Sequence, residues 1–113
     1  MIVTAWKNSK HHATGGGYGL KINAADRDRY FRREWRSVIL ELEGEAGTID
    51  INIDKPSFWT ATCHELISAD VGRWLLKNRL APWPPKRPPR LILEPIAESG
   101  HFLLYQSINK SQH

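Results

Sequence analysis

Five histidines, one cysteine and a glycine run are the places in this 113-residue chain where chemistry could be built. His11 or His12 with His101 could form an acid and base acting on a phosphodiester, one ring taking a proton as the other returns it. Cys63 beside His64 has the residue types of a nucleophile and its base. Neighbours in sequence do not generally present that geometry, so Cys63 reads as a small buried thiol. His11 and His12 point opposite ways on an extended chain, and no CxxC or HxxxH spacing supports them, so no metal site is expected. Gly15, Gly16, Gly17 and Gly19 suggest a phosphate loop, but such loops open a helix. This run precedes the short extended segment 20 to 22, and no Gly-Lys-Ser/Thr follows, so no cofactor is expected. Paired carboxylates with a lysine in nuclease spacing are also missing, which leaves binding favoured over catalysis.

Charge points to a polyanion. The chain carries 16 Lys and Arg against 12 Asp and Glu, a formal net of +4. Residues 1 to 40 hold eight cations and three acids (+5), residues 41 to 81 four and seven (−3), and residues 82 to 113 four and two (+2). Cations concentrated in the first third fit a nucleic-acid partner before a membrane surface. The bland alternative is a solvated basic face, since this net charge is ordinary for a small domain.

The elements that must position these residues follow from periodicity and punctuation. Residues 2 to 6 are β-branched and aromatic, as in a strand, and 7 to 19 form a long connection rich in glycine. After the extended residues 20 to 22, Asn23 caps a helix expected over 24 to 33, with Asp26 in capping-box spacing. On that helix Arg29, Arg32, Arg33 and Arg36 would share a stripe able to line a phosphate backbone, or one solvated and balanced by Asp26, Asp28 and Glu34. Residues 37 to 43 and 48 to 54 alternate as a hairpin around GEAG. Ser68 caps a second helix with Val71, Trp74, Leu75 and Leu76 on its apolar stripe. Five prolines in positions 82 to 90 make a stiff connector, and Lys86, Arg87 and Arg90 on it would also suit a protein-interaction module. Residues 91 to 97 and 101 to 106 close the chain as a second hairpin. Trp35 and Trp74 fit core stripes, while Trp59 and Trp83 adjoin prolines and suit either stacking platforms or core packing.

Two helices set between β-hairpins in this length cannot both be crossovers of a parallel sheet. The expected fold is mainly β with two short α-helices, an open β-barrel whose ends the helices plug. One domain over residues 1 to 106 and a short tail at 107 to 113 account for the chain. GRWLLKNRL (72 to 80) before a loop and hairpin, and LKINAADRDRYF (20 to 31), resemble the DNA-binding pseudobarrel, the fold of plant B-three domains and of some restriction-enzyme effector domains. The resemblance spans roughly residues 2 to 105.

That resemblance implies a two-armed grip on the major groove of double-stranded DNA, without covalent chemistry. Lys7, Asn8, Lys10, His11 and His12, with Thr14 and Tyr18, would form the first arm. Asn52, Asp54, Lys55, Ser57 and Trp59 would form the second, with both arms on one side of the barrel. Lys suits phosphates, Asn pairs with adenine, and Ser and His reach base edges. A separate nuclease or regulatory protein is a conceivable further partner. The single cysteine and the lack of an apolar leader or span point to the cytoplasm, with no membrane partner.

Overall fold

Alternation along the strands decides which side faces inward. In β3 (Ser37–Leu42), Val38, Leu40 and Leu42 are buried while Ser37 and Glu41 meet solvent. In β4 (Ile49–Asn52), Ile51 is buried between exposed Asp50 and Asn52. The computed structural model describes residues 1–106. The expected tail, 107–113, lies outside the described residues. The remaining elements are β1 (Ile2–Lys7), β2 (Tyr18–Lys21), α1 (Ala24–Tyr30), a 3-10 turn (Pro56–Trp59), β5 (Glu65–Ile67), α2 (Ala69–Lys77), β6 (Arg90–Pro95) and β7 (His101–Gln106).

The strands form one seven-stranded sheet in the order β4-β3-β7-β6-β1-β2-β5. All neighbours are antiparallel except β3 and β7, which run parallel with Leu40 opposite Phe102. The edge strands β4 and β5 approach each other without ladder pairing, so the sheet curls into a nearly closed barrel. The molecule is mainly β with two short helices, an open β-barrel as the order of elements predicts.

Strand direction assigns every connection to an end. We call the end where β1 finishes the upper end. β1, β5, β7 and β3 run upward, and β2, β6 and β4 run downward. The β1–β2 connection, α2 and the proline connector therefore cap the upper end, and α1 and the β4–β5 connection cap the lower one.

Apolar side chains from both plugs complete the core. From α2, Val71, Trp74 and Leu75 are buried, and the Trp74 indole N–H donates to the Glu43 carbonyl at 2.8 Å. At the lower end Phe31 stacks on Phe102, centroids 4.9 Å apart, and meets Phe58 edge-on at 5.4 Å. Each such side chain contributes about 1.5–3 kcal/mol of hydrophobic stabilisation.

That aromatic cluster also shortens the first helix. Asn23 caps it as expected, its side-chain oxygen accepting the Asp26 N–H, but α1 ends at Tyr30 rather than at residue 33. Phe31 takes extended angles (φ −120°, ψ 149°) that carry its ring into the core. Burying the ring outweighs the gain from another helical turn. Arg32 and Arg33 thus leave the helix, and the arginine stripe expected from helical spacing over 29 to 36 does not form. Cys63 is exposed instead of buried, because its turn is closed by the Thr60 side chain, which accepts the Cys63 N–H at 2.9 Å, and not by packing.

Candidate nucleic-acid interface

The β1–β2 connection, residues 8–17, folds back on α2 through glycines. Gly15 has φ +96°, and its backbone lies so close to α2 that a Cβ there would meet Ala69 O at 2.3 Å. The reciprocal position, Gly72, would place a Cβ 2.1 Å from Gly15 O. Only paired glycines allow this contact. Arg73 donates to Thr14 O at 3.0 Å and also pairs with Asp70, which ties the loop to the helix from outside.

This anchoring leaves most of the expected first-arm residues at the surface. Lys10, His11 and His12 are exposed, and Asn8 is exposed with its Oδ1 accepting the Lys10 N–H at 2.8 Å. The rings of His11 and His12 are held by short local hydrogen bonds, His11 Nδ1 to Asn8 O at 2.8 Å and His12 Nδ1 to Thr14 Oγ1 at 3.1 Å. Lys7 sits at the upper rim, its ammonium 4.7 Å from the Trp83 ring centre. Tyr18 is the exception. Its ring is buried in the core with Trp83 edge-on at 5.9 Å and His11 at 5.5 Å, so it supports the loop from beneath and offers nothing to a ligand.

The second expected arm is built differently. Arg27 is buried and donates through Nη1 to Phe58 O at 3.0 Å and Thr60 O at 2.5 Å, while its Nε pairs with Asp28. The half-buried Trp59 gives its indole N–H to Ile53 O at 3.0 Å and carries the Arg33 guanidinium 5.2 Å from its ring centre. Trp59 is therefore a packing platform for arginine rather than a free stacking face. Lys55 is half-buried, and loss of water around it holds its pKa below the ordinary value against the opposing pull of Glu65. Asn52 and Ser57 stay exposed, although Asn52 Oδ1 already accepts the Asp54 N–H. Arg29 rests over Tyr30 at 5.3 Å, and Arg32 is exposed nearby.

The two arms do not share an end. Strand directions put the first at the upper end and the second at the lower, which corrects the expectation of a common side. The wall between them is short, however. β2 has four residues and β5 three, a height of about 10–13 Å at roughly 3.3 Å per residue. Sequence reading missed β5, since three residues cannot show an alternation.

The same topology separates the expected catalytic histidines. His11 and His12 are at the upper end, and His101 opens β7 at the lower end. They cannot serve one phosphodiester as acid and base.

Among the described residues there are three ion pairs, Arg27–Asp28, Arg73–Asp70 and Lys77–Glu45, and none uses Lys7, Lys10, Lys21 or Arg90. Among the strands, cations lie on β1 (Lys7), β2 (Lys21) and the start of β6 (Arg90). The acids lie on β3 (Glu41), β4 (Asp50), β5 (Glu65) and the far end of β6 (Glu94). Lys21 and Arg90 project from the outer face on either side of Thr4, with Glu65 beyond Lys21, whereas Lys7 shares the face of buried Val3 and Ala5 and reaches the upper rim. Among the described residues no group of histidine, cysteine and carboxylate side chains could hold a metal, and no helix is long and apolar enough to cross a membrane. No family model, curated protein or solved structure matches the chain.

Proposed function

We propose that this chain binds double-stranded DNA against the β1–β2 side of the barrel, without covalent chemistry. The observation that carries this reading is the segregation of charge on the sheet. Lys21 and Arg90, neither in an ion pair among the described residues, flank Thr4 on the outer face of β2, β1 and β6, and Lys7 and Lys10 add charge at the upper rim. Phosphate neutralisation by such residues supplies affinity independent of sequence.

The loops at either end of the short wall then contact the duplex from two sides. A wall of about 10–13 Å is comparable with the roughly 12 Å width of the major groove. Asn8, His11 and His12 approach base edges from the upper end. Asn52, Ser57 and the arginines on Tyr30 and Trp59 approach from the lower one. Tyr18 and the buried Arg27 hold the loops in place.

Fluorescence anisotropy with a random duplex at about 50 and 200 mM salt tests the reading, because contacts to several phosphates make affinity fall steeply over that range. Lys7→Ala with Lys10→Ala should weaken binding and flatten the slope of log K against log salt by about 1.8, with Tm lowered only by the small loss of the Lys7–Trp83 contact. Salt-independent binding, or full binding by the double variant, would remove DNA as the partner.

A further inference from the structure

The barrel wall is unzipped at one place. β1 pairs with β2 only from Thr4 opposite Lys21 upward. Below that row β1 keeps its ladder with β6, Ile2 opposite Ile92, while β2 continues along the residues before β5, Ile22 N–H donating to His64 O at 3.2 Å. The two strands diverge and leave a slot of about 460 Å³ whose lining includes Thr4, Lys21, Ile22, Asn23, His64 and Arg90.

Three observations give this slot a chemical character. First, Thr4 is the register partner of both Lys21 on β2 and Arg90 on β6, so a hydroxyl stands between two cations, in a row that ends on Glu65 of β5 beyond Lys21. Adjacent strands are about 4.8 Å apart, so both long side chains can reach one group placed over Thr4. Second, Lys21 and Arg90 are exposed and neither closes an ion pair among the described residues, although Glu65 of β5 stands opposite Lys21 on its other side. Third, His64 is 6% exposed and its Nδ1 is buried with no hydrogen-bond partner among the described residues. His64 thus lines the slot with a largely buried ring. A volume of this size falls in the range of small-molecule sites.

We propose that the slot between β1 and β2 binds a phosphomonoester, with the dianionic phosphate over Thr4 between Lys21 and Arg90 and the attached group lying toward Ile22 and His64. The two cations flank the phosphate position on either side of Thr4, with Glu65 offsetting part of the Lys21 charge, and the guanidinium can engage two phosphate oxygens at once. A free nucleotide and the phosphorylated end of a strand both present this chemistry. The inference does not depend on duplex binding, although both use Lys21 and Arg90.

Isothermal titration of the full chain separates the cases, with adenosine monophosphate, adenosine and 3′,5′-cyclic adenosine monophosphate as probes. Saturable binding of the monoester is expected, about tenfold or more tighter than the uncharged nucleoside and tighter than the singly charged cyclic diester. Lys21→Ala and Arg90→Ala, both at exposed positions, should each weaken it by about tenfold, and Thr4→Val by less. Lys10→Ala should leave it unchanged. No saturation by the monophosphate, equal binding of nucleoside and monophosphate, or insensitivity to both charge deletions overturns the proposal. Duplex binding that survives such a failure, with its dependence on Lys7 and Lys10 intact, leaves the DNA reading standing. Loss of duplex binding with the monophosphate still bound does the reverse. A short duplex with 5′-phosphates that binds more tightly than the same duplex without them assigns the slot to strand ends. Equal binding of the two, with the monophosphate still retained, assigns it to free nucleotides.

Discussion

The loops at the two ends of the barrel are of similar length but are secured by opposite means. The upper loop, residues 8–17, is fastened chiefly through its backbone, where Gly15 lies against Gly72 of α2. Its longer side chains, Lys10, His11 and His12, are left facing solvent. The lower loop, residues 53–64, is fastened by side chains, with Arg27 holding two of its carbonyls and the Trp59 indole a third. A loop anchored by backbone keeps its side chains available for a partner, whereas one anchored by side chains has used several of them. The difference makes the upper loop the adaptable contact and the lower one a rigid rim.

The strongest way to break the comparison is Gly72→Ala. Helix propensity alone would make this change stabilising by about 1 kcal/mol. The added Cβ would instead stand 2.1 Å from the Gly15 carbonyl oxygen, a backbone atom that cannot swing away. A net loss of about 3 kcal/mol is expected in denaturant unfolding, with the upper loop released from α2. Unchanged or increased stability would show that the glycine contact does not hold the loop.

The matching test of the lower end is Arg27→Met, which keeps the apolar stem and removes the guanidinium. Two carbonyls, at Phe58 and Thr60, lose a charged donor, and about 2 kcal/mol of stability should go with them. Amide exchange should accelerate across residues 56–63 and stay unchanged in residues 8–17. Acceleration in both loops would mean that the ends are not held independently.

The smallest effect sharpens the contrast through pH. Lys55 has its pKa held below 10.5 by partial burial, with Glu65 opposing. Between that lowered value and 10.5 the unfolded chain binds more protons than the folded one, so stability from this group rises with pH across the window. Below the window the buried ammonium costs stability. Lys55→Met should raise stability at neutral pH and reduce the gain seen on approaching pH 10.5, measured as the difference between urea midpoints of variant and parent. An identical pH profile in the two proteins would show that Lys55 is effectively solvated.

Much of the fold was legible from residue order because its signals are local. The alternation of Val38, Leu40 and Leu42 against Ser37 and Glu41, and the caps at Asn23 and Ser68, specify their elements without reference to the rest of the chain. Less of the site was legible. Tyr18 sits among polar loop residues and reads as one of them, yet its ring is needed beneath Trp83. The arginine stripe over 29 to 36 follows from helical spacing that Phe31 interrupts.

The amino-acid order by itself determined six of the seven strands, the caps and the presence of two helices, since each depends on neighbours within a few residues. Only the tertiary structure decided which loop lies at which end, that Lys21, Thr4 and Arg90 stand in one row, and that β1 parts from β2 below them. Those facts come from strand direction and register across residues up to 90 positions apart, as between Ile2 and Ile92. No local pattern encodes them, because pairing partners are selected by how the whole barrel buries its apolar faces at once.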